Sequence, residues 1–287
     1  GSNNTAVGAY AGDEITSGER NTAVGHSAIG AAAGNSNTGI GFEALLSTTG
    51  ANNTAIGTYA SKDMVSANST VAIGYNALSA AATQANTVAI GVNALQELTS
   101  GAGNIAIGYT ALTEHTTGGN NVALGFGALY RTGGATASTS TDNIAIGTYA
   151  LGGDWADVAS NYNVAIGSAA LQANLNGSLY NVAIGYQALY TQTTPDGNIG
   201  IGSKAGFYND TGTANTWVGY QAGLGASGQS NSNNTGIGAS ALQSITTGGS
   251  NVAVGPSAGL AITTGGDNIA IGYNALLTED TGTKNVA

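Results

Sequence analysis

Asn181-Val182-Ala183-Ile184-Gly185 is one of sixteen near-copies of a single pentad spread along this 287-residue chain. Its closing glycine returns at Gly8, Gly25, Gly41, Gly57, Gly74, Gly91, Gly108, Gly125, Gly147, Gly167, Gly185, Gly202, Gly219, Gly238, Gly255 and Gly272. The steps run from 16 to 22 residues and are most often 17. A period that short, carried by a strand-like pentad, predicts an all-β chain. The architecture it implies is a parallel β-solenoid, or β-roll, with about 17 residues per coil. Residues 1–287 then form a single solenoid repeat domain. The closing Asn285-Val286-Ala287 opens another pentad, which suggests a segment of a longer fibrous protein.

Read by column, the pentads carry structural instructions. The first column is Asn, except at Thr70 and Thr87. The second is always Thr, Val or Ile, and the fourth always Val, Ile or Leu. The third is Ala or Gly, except at Trp217. Side chains alternate along a strand, so columns two and four share one face. β-branched residues suit a half-buried pleated surface, so these columns are expected to fill the coil interior. Column three, with Trp217, would then face outward, where a row of small residues lets an identical chain approach. Stacked Asn residues are expected to form a ladder, bonding to their copies one coil away and to turn backbone.

Three residues past each pentad Gly stands an Ala, and the next position is mostly Leu, as at Leu78, Leu95 and Leu189. This predicts a second short segment per coil that packs Ala and Leu against the strand. Gly12, Gly206, Gly223 and Gly259 take the Leu position in four coils. Return turns such as Thr246-Thr247-Gly248-Gly249 are rich in residues that accept positive φ. Tyrosines after the pentad Gly (Tyr75, Tyr109, Tyr186, Tyr220, Tyr273) form either a discontinuous aromatic row or packing against the next coil.

Composition narrows the function. The chain has 5 basic and 15 acidic residues, a formal charge of −10. That balance disfavours nucleic acid or an anionic membrane as partner. No cysteine exists, so disulfide and thiolate chemistry are excluded. No apolar run is long enough for a membrane helix, and no signal peptide is visible. His26 and His115 lie in different coils and lack metal-ligand spacing, and no cofactor motif is present. Acid pairs such as Glu279-Asp280 fall in turns, where carboxylates are ordinarily solvated. No catalytic constellation emerges, and the chain reads as a non-enzyme.

The irregular coils draw attention instead. The 22-residue step inserts a loop beginning at Arg131, and the 20-residue step carries Asp154-Trp155-Ala156-Asp157 and Tyr162. Loops inserted in solenoids often line a binding face. Arg131, Asp154, Trp155, Asp157 and Tyr162 are therefore the candidate ligand contacts. Trp155 either stacks on a sugar ring or folds back on the coil.

Asn181-Val182-Ala183-Ile184-Gly185-Tyr186-Gln187-Ala188-Leu189 resembles the head repeats of trimeric autotransporter adhesins and the related repeats of bacteriophage tail fibres. The resemblance spans nearly the whole chain but covers scaffold positions only, so it transfers no ligand residue. It implies three identical β-rolls side by side, outside the cell or on a virion, attaching to a glycan or protein receptor. Two alternatives stand beside it. An ice-binding solenoid would need outward Thr arrays, whereas column two is expected to point inward. A polysaccharide depolymerase would need paired carboxylates in a cleft.

Overall fold

The computed structural model describes residues 1–80, 83, 85–131, 139–155, 158–173 and 175–287. They form two compact units, Gly1–Asp142 and Asn143–Ala287. The first contains β1 (Thr5–Val7), β2 (Thr22–Val24), β3 (Thr38–Ile40), β4 (Thr54–Ile56), β5 (Val71–Ile73), β6 (Val88–Ile90), β7 (Ile105–Ile107) and β8 (Val122–Leu124). The second contains β9 (Ile144–Ile146), β10 (Val164–Ile166), β11 (Val182–Ile184), β12 (Ile199–Ile201), β13 (Thr216–Val218), β14 (Thr235–Ile237), β15 (Val252–Val254) and β16 (Ile269–Ile271). Each strand is columns two to four of one pentad. Within each unit consecutive strands pair in parallel, like column over like column, as in Thr5↔Thr22, Ala6↔Ala23 and Val7↔Val24. Each unit is thus a parallel β-solenoid, and no α-helix occurs among the described residues.

The facing of the strands is the reverse of the sequence expectation. From Ala23 to Ala270, column three is buried, and columns two and four are half-buried or exposed. The coil is too narrow for β-branched side chains on its inner wall, because the opposite wall already projects Ala and Leu. Ala170 and Leu171, like their equivalents in most coils, are fully buried. Small residues in column three therefore reflect a cramped interior, not a subunit contact.

Trp217 follows the same rule. It is fully buried, not on an outer face. Its neighbours in register are Gly200 and Gly236. A Cβ on Gly206 would lie 2.6 Å from its ring, one on Gly236 2.8 Å, and one on Gly223 would overlap it. Three glycines, Gly206, Gly223 and Gly236, from its own coil and the two adjoining it, make the room that one indole fills.

The second segment of each coil is a stacked turn rather than a strand. Its Leu amide donates to the Ala carbonyl of the next coil, as in Leu45 N to Ala60 O at 3.1 Å and Leu78 N to Ala94 O at 2.9 Å. The Leu residues sit at φ between 48 and 55°. For a branched residue that conformation costs about 1–2 kcal/mol, which full burial of the side chain, about 1.5–3 kcal/mol, offsets. Gly12, Gly206, Gly223 and Gly259 adopt φ of 56–64° there, so glycine eases the backbone where Leu fills the core. The pentad glycines near φ +130° serve close stacking: a Cβ on Gly8 would lie 2.7 Å from the Gly25 carbonyl oxygen.

A third inward position closes the core with Met64 and Leu98 in the first unit and Leu175, Ile245 and Ile262 in the second. Buried polar residues interrupt it: Thr48 and His115 in the first unit, Gln192 and Asn209 in the second. Neither amide atom of Gln192 has a hydrogen-bond partner among the described residues.

The expected asparagine ladder is present. Asn198 illustrates it: its Nδ2 donates to the Gly212 carbonyl at 2.8 Å, and its Oδ1 accepts from the Asn215 backbone N–H at 2.9 Å. The same pair of bonds recurs from Asn4 to Asn53 and again at Asn104 in the first unit, where Thr70 and Thr87 interrupt it, and from Asn143 onward in the second. Each side chain thus satisfies one backbone amide and one turn carbonyl of the next coil. Asn198→Ala leaves the Asn215 N–H without its acceptor in a buried setting, while the Gly212 carbonyl keeps a 3.3 Å bond from Asn209 Nδ2, and is expected to cost about 2 kcal/mol. A lower urea midpoint checks this, and an unchanged midpoint counts against the ladder's role.

Candidate functional site

The parallel register turns columns two and four into two outward ridges along each unit. All of their positions are Thr, Val, Ile or Leu, and none is charged. Ile105 and Ile107 of β7 are 36% and 38% exposed. In β9 and β12, Ile144, Ile146 and Ile201 are exposed to the same degree. At ~4.8 Å per strand and a width of ~10 Å, eight strands present roughly 400 Å² of flat β-branched surface per unit. A patch that size is near the largest that ordinary monomers expose.

The corner after column four carries aromatic residues. In the first unit Tyr10, His26, Phe42, Tyr59 and Tyr75 come from five successive coils, with ring centroids 5.6, 5.3, 5.5 and 6.0 Å apart. Tyr109 stacks on Phe126 at 5.1 Å. The tyrosines after the pentad glycines are therefore exposed, and they form ring contacts where adjoining coils also supply a ring. Lys62 lies 4.8 Å over the Tyr59 ring and pairs with Glu43 at 3.0 Å. The hydrogen bond to Glu43 holds the Lys62 ammonium pKa above its ordinary value.

Of the loop residues singled out by sequence, four fall among the described residues. Trp155 is 4% exposed, so its ring is folded into the coil and offers no face to a sugar. Asp154 is exposed beside it, and Asp157 lies outside the described residues. Tyr162 is exposed and stacks on Tyr180, centroids 5.2 Å apart and planes 5° from parallel. Arg131, in the first unit, sits 5.5 Å over the Tyr130 ring. The open strand face and the Tyr10–Tyr75 row were missed as sites. Their signals were present: the absence of charge from columns two and four, and aromatic residues in five consecutive coils.

Among the described residues no group of three His, Asp or Glu side chains is placed to hold a metal ion. No helix among them is long and apolar enough to cross a membrane. No family model matches this chain, and no curated protein matches it either.

Proposed function

We propose that the chain is a structural and adhesive segment of an extracellular or virion fibre. It self-associates as a homotrimer through the open face of columns two and four and attaches to a glycan or protein on a host or cell surface. The observation that carries this reading is the uncharged β-branched face that continues over every coil of each unit. Such a surface favours burial against another apolar surface, and an identical chain supplies one of matching length and coil spacing. Three copies are what the resemblance to adhesin head repeats implies. The interface assigned here differs from the small-residue column that the sequence suggested, because that column is internal.

Light scattering tests it. The expected mass is three times the 27.9 kDa of one chain. Ile107→Lys combined with Ile201→Lys places a charge on the open face of each unit and is expected to yield monomer. A wild-type chain that stays monomeric at all concentrations overturns self-association.

One observation favours a second reading. Thr5, Thr22, Thr38 and Thr54 stack in register on the outward face, which removes the objection that they point inward. A regular outward Thr array is what an ice-binding solenoid requires. A thermal hysteresis assay decides it, and no measurable hysteresis eliminates that reading.

A further inference from the structure

We infer that the aromatic row Tyr10–His26–Phe42–Tyr59–Tyr75 is a binding strip for an extended neutral polysaccharide. The inference rests on the adhesive reading and names its ligand class and its site. The repeats themselves provide the control. The first position after the pentad Gly holds Val92, Thr148, Ser168, Ser203, Ala239 and Pro256 in other coils, so the scaffold does not require a ring there. The second position holds Tyr10 and Tyr59 in this strip; elsewhere it holds Tyr149 once, and Gln187, Lys204 and Gln221 among others. Five consecutive coils nevertheless place a ring at this corner, switching between the two positions to keep the row unbroken.

Four of the five rings are exposed: Tyr10, Phe42 and Tyr75 are 66%, 39% and 48% exposed, and His26 is exposed with them, whereas Tyr59 is half-buried with Lys62 over its ring. Edge-to-face contacts turn neighbouring planes by 76°, 83° and 63° in three of the four pairs. The strip therefore offers both ring faces and ring edges along its length. Aromatic rings present rigid contact area at little entropic cost, and the C–H face of a pyranose is an apolar surface of comparable size. With one ammonium N–H given to Glu43, the Lys62–Glu43 pair beside Tyr59 leaves two N–H donors and a carboxylate acceptor for sugar hydroxyls.

Charge decides between neutral and anionic chains. Lys62 and Glu43 neutralise one another, and the chain as a whole carries −10. Nothing in the strip offsets the repulsion of a uronate or sialate polymer. A linear chain matches the row because sugar units follow one another as the coils do. Tyr186 and Tyr220 of the second unit stand two coils apart, with Ser203 at the intervening position, and make no such row.

Co-sedimentation of the full chain with cellulose, chitin and insoluble mannan tests the inference. The wild type is expected to bind at least one of them. The variant Phe42→Thr, Tyr59→Gln and Tyr75→Thr uses residues that other coils already carry at these positions, so it is expected to fold. Removing three stacking surfaces is expected to weaken binding about tenfold or more. Tyr186→Thr with Tyr220→Thr is expected to bind as the wild type does. Absence of wild-type binding to all three polymers overturns the inference, as does undiminished binding by the triple variant. A triple variant with altered solution mass also overturns it, making the row a contact between chains. A wild type that has the trimer mass and adheres to cells, yet binds none of the polymers, sinks this inference alone and leaves the adhesive reading standing.

Discussion

Trp217→Ala is expected to destabilise the second unit by about 3–5 kcal/mol, the largest single-residue effect in this chain. The indole is fully buried, and three glycines border the space it occupies. None of them carries a side chain that can move into the vacated volume, so the cavity persists. The loss is softened by one effect: the Trp217 Nε1–H is buried without a hydrogen-bond partner among the described residues, and that cost disappears with the ring. The glycines make the site a reciprocal test. With Trp217 in place, Gly206→Leu and Gly223→Leu drive a side chain into the ring. In the Trp217→Ala background the same two changes recreate the usual coil, with Ala in column three and Leu four residues past the pentad Gly. Gly206 and Gly223 already sit at φ 61° and 56°, beside the 48–55° of the leucines elsewhere. The triple variant is therefore expected to regain much of the lost stability, although Gly206→Leu and Gly223→Leu are each harmful alone. Denaturant midpoints of the single, double and triple variants form the cycle. If Gly206→Leu and Gly223→Leu cost the same with Ala at 217 as with Trp, the packing described for this coil is wrong.

That cluster also shows what the sequence discloses and what it leaves open. Strand positions were legible to the residue, because the pentad recurs often enough to average out local propensity. The Asn ladder was legible because one polar residue type recurs at one period. The phase of the strand was not. A three-residue strand with β-branched residues at both ends and Ala between them can face either way. Hydrophobicity alone favours the wrong choice, since it places Ile inside. What decides is volume, because the facing wall of the coil already brings Ala and Leu. The near-constancy of Ala and Gly in column three was the available clue, as was the company of Trp217: Gly206, Gly223 and Gly236 are scattered in sequence and converge on the ring only once the coils are stacked. The candidate site divides in the same way. The surface tyrosines were visible as a column, but their continuity with Tyr10, His26, Phe42 and Tyr59 depends on rings from two neighbouring positions reaching one row. Trp155 looked available because a loop with acids reads as exposed, whereas its ring fills a core position equivalent to that of Leu175.

Acidification is expected to destabilise the first unit through His115. The imidazole is buried at a position that Leu98 fills one coil earlier. Burial lowers its pKa from 6.5 to about 4, against a smaller opposing effect from a hydrogen bond with the Gly118 backbone. Asn121 Nδ2 lies 3.3 Å from Nε2, a contact that suits the neutral ring with Nε2 as acceptor. The sign follows from where the proton binds first. Below pH 6.5 the unfolded chain takes up a proton that the folded chain refuses until about pH 4, so stability falls with pH across that window. The contribution is fully present above pH 6.5 and lost below about pH 4. A difference of this size corresponds to on the order of 3 kcal/mol. His115→Leu restores the residue type of the neighbouring coil and removes the titration. Solenoids unravel locally rather than all at once, so amide hydrogen exchange at Leu112 and His115 is the appropriate probe. Protection there is expected to drop steeply between pH 6.5 and 4 in the wild type, relative to the Leu variant, once intrinsic exchange rates are divided out. Parallel pH profiles for the two proteins would mean that the folded chain accommodates the imidazolium, and that the tight packing assigned to this coil does not hold around His115.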